Sequence, residues 1–171
     1  MTQIINWGII GLGNVALKFA EAFKDSNNSK LKAVSSNTDD KINKFQKKFN
    51  IAKDYCFNKY EDLLDCKEID IVYIALPNSM HEEWVRKSIE RKKNILIEKP
   101  AFIDLSQIEN IKKKILNNNI FFSESFIYRH SPQIFEVLEL LKNNTIGELK
   151  SMVSNYGTNL LTKKNIFGLI K

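Results

Sequence analysis

The sequence predicts an α/β protein built on a doubly wound parallel sheet, and three observations carry that expectation. Apolar, strand-like runs alternate with amphipathic, helix-like segments from Ile4 to Ser123. The first such run leads straight into Gly11-Leu12-Gly13-Asn14-Val15-Ala16. The run Ile69 to Leu76 is broken only by Asp70, as suits a strand covered on both faces. Alternation of this kind implies right-handed crossovers with helices on both sides of the sheet.

Taken in order, Ile4 to Ile10 is the first strand. The helix after it places Val15, Phe19, Ala22 and Phe23 on one face, with Lys18, Glu21 and Lys24 toward water. Lys30 to Ser35 is the second strand. Asp40 to Phe49 is a helix with Ile42, Phe45 and Phe49 on one side. Tyr55 and Phe57 mark a weak third strand, Tyr60 to Leu64 a short helix, and Ile69 to Leu76 the fourth strand, which Pro77 ends. Ser79 and Glu82 have capping-box spacing ahead of Trp84, Val85, Ser88 and Ile89, and Ser106 and Glu109 repeat it for a later helix. Between those helices Asn94 to Ile97 is the fifth strand, and Ile120 to Ser123 is the sixth. Residues 1–125 therefore read as one domain. In residues 126–171, Ser131-Pro132 opens a helix with Ile134, Phe135, Leu138 and Leu141 on one face, and Gly147 to Gly157 reads as a long strand. This part is expected to begin a second, α+β domain with an antiparallel sheet, left incomplete here. The strand edge then predicts that residues 145–171 are poorly ordered or paired between molecules.

Composition narrows the function classes. The chain has 171 residues, 43% hydrophobic and 27% charged, as in ordinary globular proteins. No apolar stretch approaches a membrane span, and no basic segment with a following apolar region opens the chain, so no membrane role and a cytoplasmic location are expected. Cys56 and Cys66 lack metal-ligand spacing and a nearby His, so no metal is expected. The net charge of +6 raises nucleic acid as a partner, but the lysines are scattered and Arg86, Arg91 and Arg129 are the only arginines. Solvated helix faces account for the charge better.

The chemistry-bearing stretches fall where strands end, which is where doubly wound sheets bind ligands. G-x-G-x-x-A between strand and helix is the spacing of a dinucleotide site: Gly11 allows the turn, Gly13 leaves room for a pyrophosphate, and Ala16 permits close helix-to-strand packing. After the second strand stand Ser35, Ser36 and Asn37, where a carboxylate would favour NAD. NADP(H) is therefore expected to bind at least as well, with Ser36 and Asn37 at the adenosine ribose or its phosphate. Lys99 follows the fifth strand between Glu98 and Pro100, placed for proton exchange with a substrate hydroxyl. His81 reads equally as a helix cap or ribose contact and as a surface residue. Tyr128 and Arg129 read as substrate-orienting residues or as members of an interdomain ion pair.

With G-x-G-x-x-A, P-N-x-x-H (Pro77 to His81), E-K-P (Glu98 to Pro100) and Y-R-x-x-P (Tyr128 to Pro132) in this order, the sequence resembles the glucose–fructose oxidoreductase, inositol dehydrogenase and rhizopine-catabolism (Gfo/Idh/MocA) family. The resemblance spans nearly the whole chain. It implies a Rossmann domain that uses NADP or NAD to oxidise or reduce a sugar, cyclitol or related alcohol. It also implies that Gly11, Gly13, Asn14, Val15 and Ala16 hold the pyrophosphate, that Leu76, Pro77, Asn78 and His81 line the crevice, and that Glu98 and Lys99 lie at the nicotinamide, with Lys99 catalytic. A sugar-like substrate is the implied partner, and a homo-oligomer is expected of full-length relatives. The family's D-x-x-x-H-type catalytic segment has no counterpart at His81 or His130. The chain is thus expected to be the nucleotide-binding half of such an enzyme, the alternative being a catalytically inactive NAD(P)-binding protein or a subunit completed by another polypeptide.

Overall fold

The computed structural model describes residues 3–155 and 157. The chain divides into two compact units, Met1–Phe126 and Ile127–Lys171. The first unit holds six strands: β1 (Ile5–Ile10), β2 (Ser29–Ser35), β3 (Cys56–Phe57), β4 (Ile71–Ile74), β5 (Asn94–Ile97) and β6 (Phe122–Glu124). They pair in parallel in the order β3-β2-β1-β4-β5-β6. This is the doubly wound order of a Rossmann sheet, and the order in which strands are added reverses between β1 and β4.

Alternation along the strands sends residues to opposite faces, where two separate cores form. Ile9, Val34 and Tyr73 pack with Ala16 and Ala20 of α1 (Asn14–Glu21) and with Ile42 and Phe45 of α2 (Asp39–Phe49). Ile10, Val72, Ile74, Ile95 and Ile97 pack on the other side with α3 (Tyr60–Asp65), α4 (His81–Glu90) and α5 (Leu105–Asn117), through residues such as Leu63, Val85 and Ile111. Each fully buried isoleucine contributes about 1.5–3 kcal/mol, so the central strands are the most strongly held part of the molecule.

Several elements differ from the sequence expectation. The packing face of α1 is Ala16 and Ala20 with Phe19, not the stripe through Val15 and Ala22; the two alanines let the helix lie close on the sheet, which leaves Val15 exposed. Ser79 caps nothing, because Asn78–Met80 forms a single 3₁₀ turn that feeds directly into α4. In α5 the cap is Asp104, whose side chain accepts from the Ser106 N–H at 2.7 Å, so Ser106 is inside the helix. The Ser106 hydroxyl, and then that N–H, hold the Asp104 carboxyl below its usual range. The sixth strand begins two residues later than expected, since Ile120 is spent in the core under α5 and Phe122 is the residue that pairs with Ile95.

At the amino end of the sheet Lys93 is buried, its ammonium donating to the carbonyls of Cys66 and Ile69 at 2.7 and 2.8 Å. Burial lowers its pKa from the ordinary value. No helix among the described residues is long and apolar enough to cross a membrane.

In the second unit, Ser131 precedes α6 (Pro132–Lys142), with Pro at its start. Ile134 and Leu141 are half-buried, while Phe135 and Leu138 of the expected apolar face are exposed. Residues 147–155 form no strand, against the expectation of a long one: among the described residues they find no strand to pair with, and an extended segment without a ladder partner is not a strand. The remainder of that expectation, including Tyr156 and most of the tail, lies outside the described residues.

Candidate functional site

The carboxyl ends of the parallel neighbours β1 and β4 lie side by side where the strand order reverses. Gly11 turns the chain out of β1 with φ +89°, and its N–H donates to the Ser35 carbonyl at 3.0 Å. A Cβ at Gly11 would stand 2.6 Å from the Ala75 carbonyl oxygen and 2.8 Å from Leu76 Cδ2, so only glycine fits. Gly13 serves the opposite purpose. It is the N-cap of α1, and a Cβ there would meet nothing within 4 Å. The space in front of α1 is thus open, the first turn carries no carboxylate, and the N–H groups of Asn14, Val15 and Ala16 have no partner within the helix. Asn14 and Val15 are exposed and Ala16 is fully buried. An anion approaching this end finds donors and no side chain in its way.

At the end of β2, Ser36 is buried and its Oγ accepts from the Thr38 N–H at 3.3 Å, while Asn37 is exposed. Ser35 Oγ, beside Gly11, is buried without a hydrogen-bond partner among the described residues. The open approach at Gly13 and this unpaired hydroxyl together fit a dinucleotide lying along the ends of β1 and β2.

Beyond β4, Leu76 is buried and Pro77 and Asn78 are exposed at the rim. His81 is neither a cap, a ribose contact nor a surface residue here. It is 0% exposed, with Nδ1 2.8 Å from the Pro100 carbonyl oxygen and Nε2 2.9 Å from that of Leu76. The imidazole is a brace between the end of β4 and the turn after β5: each ring nitrogen lies against a main-chain carbonyl oxygen, and a neutral ring, with one N–H, donates to one of them. Sequence spacing placed it at the right turn but could not show which way the ring faced.

The turn after β5 carries the candidate acid–base group. Glu98 is half-buried, and its N–H donates to the Ile74 carbonyl at 3.0 Å. Its carboxylate accepts from the hydroxyl of Tyr73, which rises from the α1 side of β4 beneath the ring of Phe19, centroids 4.1 Å apart. Burial, and then the Glu98 carboxylate, push the Tyr73 hydroxyl far above its ordinary pKa. Lys99 is exposed and makes no ion pair among the described residues, and the bond from it to Pro100 is cis. One residue on, the Ala101 N–H donates to Glu124 Oε1 at 2.8 Å, across to the end of β6.

The structure therefore brings Gly11, Gly13, Asn14, Val15, Ala16, Leu76, Pro77, Asn78, Glu98 and Lys99 to one end of one sheet, with Ser36 and Asn37 beside them. Tyr128 and Arg129 belong to the second unit, in the 3₁₀ turn Ile127–His130. Two contributors were not singled out from sequence. Tyr73 is a hydroxyl inside an otherwise aliphatic buried strand, and Glu124 is a carboxylate at a strand's carboxyl end; each is a polar atom where the pattern calls for none. Among the described residues no group of His, Cys, Asp or Glu is arranged to hold a metal ion.

Residues 5–125 match the family GFO_IDH_MocA, described as an oxidoreductase family with an NAD-binding Rossmann fold. The chain is 32% identical over 171 residues to oxidoreductase P35 of Formosa agariphila, an alignment covering 97% of this chain and 53% of that protein. It is 28% identical over 153 residues to the dTDP-3,4-didehydro-2,6-dideoxy-alpha-D-glucose 3-reductase of Actinomadura kijaniata, covering 89% of this chain and 45% of the relative. Among solved structures, KijD10, a 3-ketoreductase from Actinomadura kijaniata in complex with NADP and TDP-benzene, superposes with a TM-score of 0.76 at 28% identity, over 85% of this chain and 44% of that one. The chain spans about half the length of the curated relatives it matches.

Proposed function

This chain belongs to the GFO_IDH_MocA oxidoreductase family, and from that premise we propose that it is the cofactor-binding half of an NAD(P)-dependent enzyme that oxidises or reduces a sugar, cyclitol or related alcohol. The observation that carries the reading is the pair of glycines: Gly11 is forced by φ and by the Ala75 carbonyl, and Gly13 leaves open the one approach a pyrophosphate needs. The relatives' names, among them a deoxysugar 3-reductase and trans-1,2-dihydrobenzene-1,2-diol dehydrogenases, support the substrate class.

In this reading, Gly11, Gly13, Asn14, Val15 and Ala16 hold the pyrophosphate at the start of α1. Ser36 and Asn37 meet the adenosine ribose or its phosphate, and with no carboxylate directly after β2, NADP(H) binds at least as well as NAD(H). Leu76, Pro77 and Asn78 form the crevice wall, with His81 supporting it from behind. The cofactor, when bound, supplies or accepts a hydride. Lys99, exposed at the nicotinamide end, takes the proton from a substrate hydroxyl as the neutral amine in oxidation and, as the ammonium so formed, returns it in reduction. Glu98, anchored by Tyr73, fixes the residue from which the chain enters Lys99. Residues 126–171 then begin the substrate domain, Tyr128 and Arg129 orient the substrate's oxygens, and completed copies assemble as homo-oligomers.

Titration of the full chain with NADPH and with NADH, followed by nicotinamide fluorescence, tests the reading. Saturable binding of both, NADPH at least as tightly, is expected. Failure of both cofactors to bind would overturn the assignment, and clearly tighter NADH would overturn the roles given to Ser36 and Asn37.

A further inference from the structure

We propose that Glu124 is a positioning residue that fixes the main chain of the Lys99 turn at the nicotinamide end of the site. The inference rests on the dinucleotide reading above.

The need for such a residue follows from the turn's own composition. Pro100 has no N–H, so the first main-chain donor after Lys99 is that of Ala101, and it has left the β5 ladder. Its acceptor is not main chain but Glu124 Oε1, 2.8 Å away and 23 residues later in sequence. Glu124 is the last residue of β6, paired with Ile97 of β5, so the carboxylate stands on the strand next to the turn it holds. An ionised carboxylate accepting from N–H makes a shorter and stronger bond than a neutral acceptor does. From the opposite side, His81 Nδ1 meets the Pro100 carbonyl at 2.8 Å. The single peptide unit joining Pro100 to Ala101 thus has side chains from two different elements at its oxygen and at its nitrogen. Ala101 itself is buried, so the turn cannot relax by sliding past the grip. Lys99, by contrast, is exposed and has no ion pair among the described residues to hold it. Its position is set by its backbone, and its backbone by Glu124 and His81.

The test uses the full chain with Glu124→Ala and Glu124→Gln, the latter keeping an amide oxygen to accept from Ala101. Three quantities are read: exchange of the Ala101 amide proton, affinity for ADP-ribose, which lacks the nicotinamide, and NADPH affinity with the fluorescence enhancement of its nicotinamide. For Glu124→Ala, exchange at Ala101 is expected to rise roughly tenfold or more, the typical consequence of losing a hydrogen bond to a charged group. ADP-ribose affinity should stay within about twofold, while NADPH affinity and the fluorescence enhancement fall, and Glu124→Gln should restore most of both. Unchanged NADPH affinity and fluorescence, unchanged Ala101 exchange, or an equal loss of ADP-ribose affinity would each overturn the proposal. If Glu124→Ala does not fold, Glu124→Leu, which fills the space without an acceptor, decides: loss of enhancement supports the role and an unchanged value overturns it. A wild-type chain that bound neither probe would instead sink the dinucleotide reading, and this inference with it.

Discussion

The two turns that shape the site are built in opposite ways. The Gly11–Gly13 turn works by missing atoms: a Cβ at Gly11 would stand 2.6 Å from the Ala75 carbonyl oxygen, and the one absent at Gly13 leaves the start of α1 bare. The Lys99 turn works by added ones. Tyr73, His81 and Glu124 reach it from 25, 19 and 23 residues away to hold Glu98, Pro100 and Ala101. The first turn is therefore damaged by enlarging a residue and the second by trimming one. The difference also separates local from distant information, since everything the glycine turn needs lies within a few residues, whereas the Lys99 turn exists only once three elements have assembled.

Substitutions should follow that division, beginning with the largest effect. Gly11→Val combines a left-handed φ that a β-branched residue resists with a collision against fixed backbone, and should lower stability by roughly 2–6 kcal/mol in a denaturant titration. A loss under 1 kcal/mol would show that the turn has room to shift. Next comes His81→Leu, which keeps the core filled but removes the ring N–H that the Pro100 or Leu76 carbonyl accepts from; about 1–3 kcal/mol is expected by the same measurement. If stability hardly changed, the brace would be incidental.

Tyr73→Phe is smaller at neutral pH, about 1 kcal/mol for a single hydrogen bond. Its pH dependence is more informative. The folded Tyr73 hydroxyl has a raised pKa, so the unfolded chain releases its proton first, and the stabilisation is complete below about pH 10 and lost as pH rises beyond it. The wild type should then lose up to about 1.4 kcal/mol per pH unit that the variant does not. Lys93, whose lowered pKa acts with the opposite sign as pH rises toward 10.5, is common to both proteins and cancels in the comparison. Parallel stability curves for the two proteins above pH 10 would remove Tyr73 from the grip.

The same division explains what could be read in the sequence. The glycine turn, the six parallel strands and the span Asn94–Ile97 follow from periodicity and local backbone chemistry, and each stands in the structure. The exposure of Val15 did not follow, because helix periodicity defines a stripe only loosely and the small alanines decide which side lies closest to the sheet. The capping spacing at Ser79 misled because the preceding turn already supplies the helix start, and at Ser106 because Asp104 stands two residues earlier as the cap. His81 was legible as a residue of the crevice turn but not as a buried brace, and Glu124 and Tyr73 were legible only as polar residues in unexpected places. Their roles depend on strand order and register, which no short window contains.

The central claim is that the open space in front of α1 receives the dinucleotide, and Gly13→Val tests it most directly. A side chain there meets no protein atom within 4 Å of its Cβ, so the variant's melting temperature should stay close to that of the wild type. Its affinity for NADPH should nevertheless fall at least about tenfold, because the new side chain occupies the pyrophosphate's approach to the helix. An unchanged melting temperature together with undiminished NADPH binding would contradict the account.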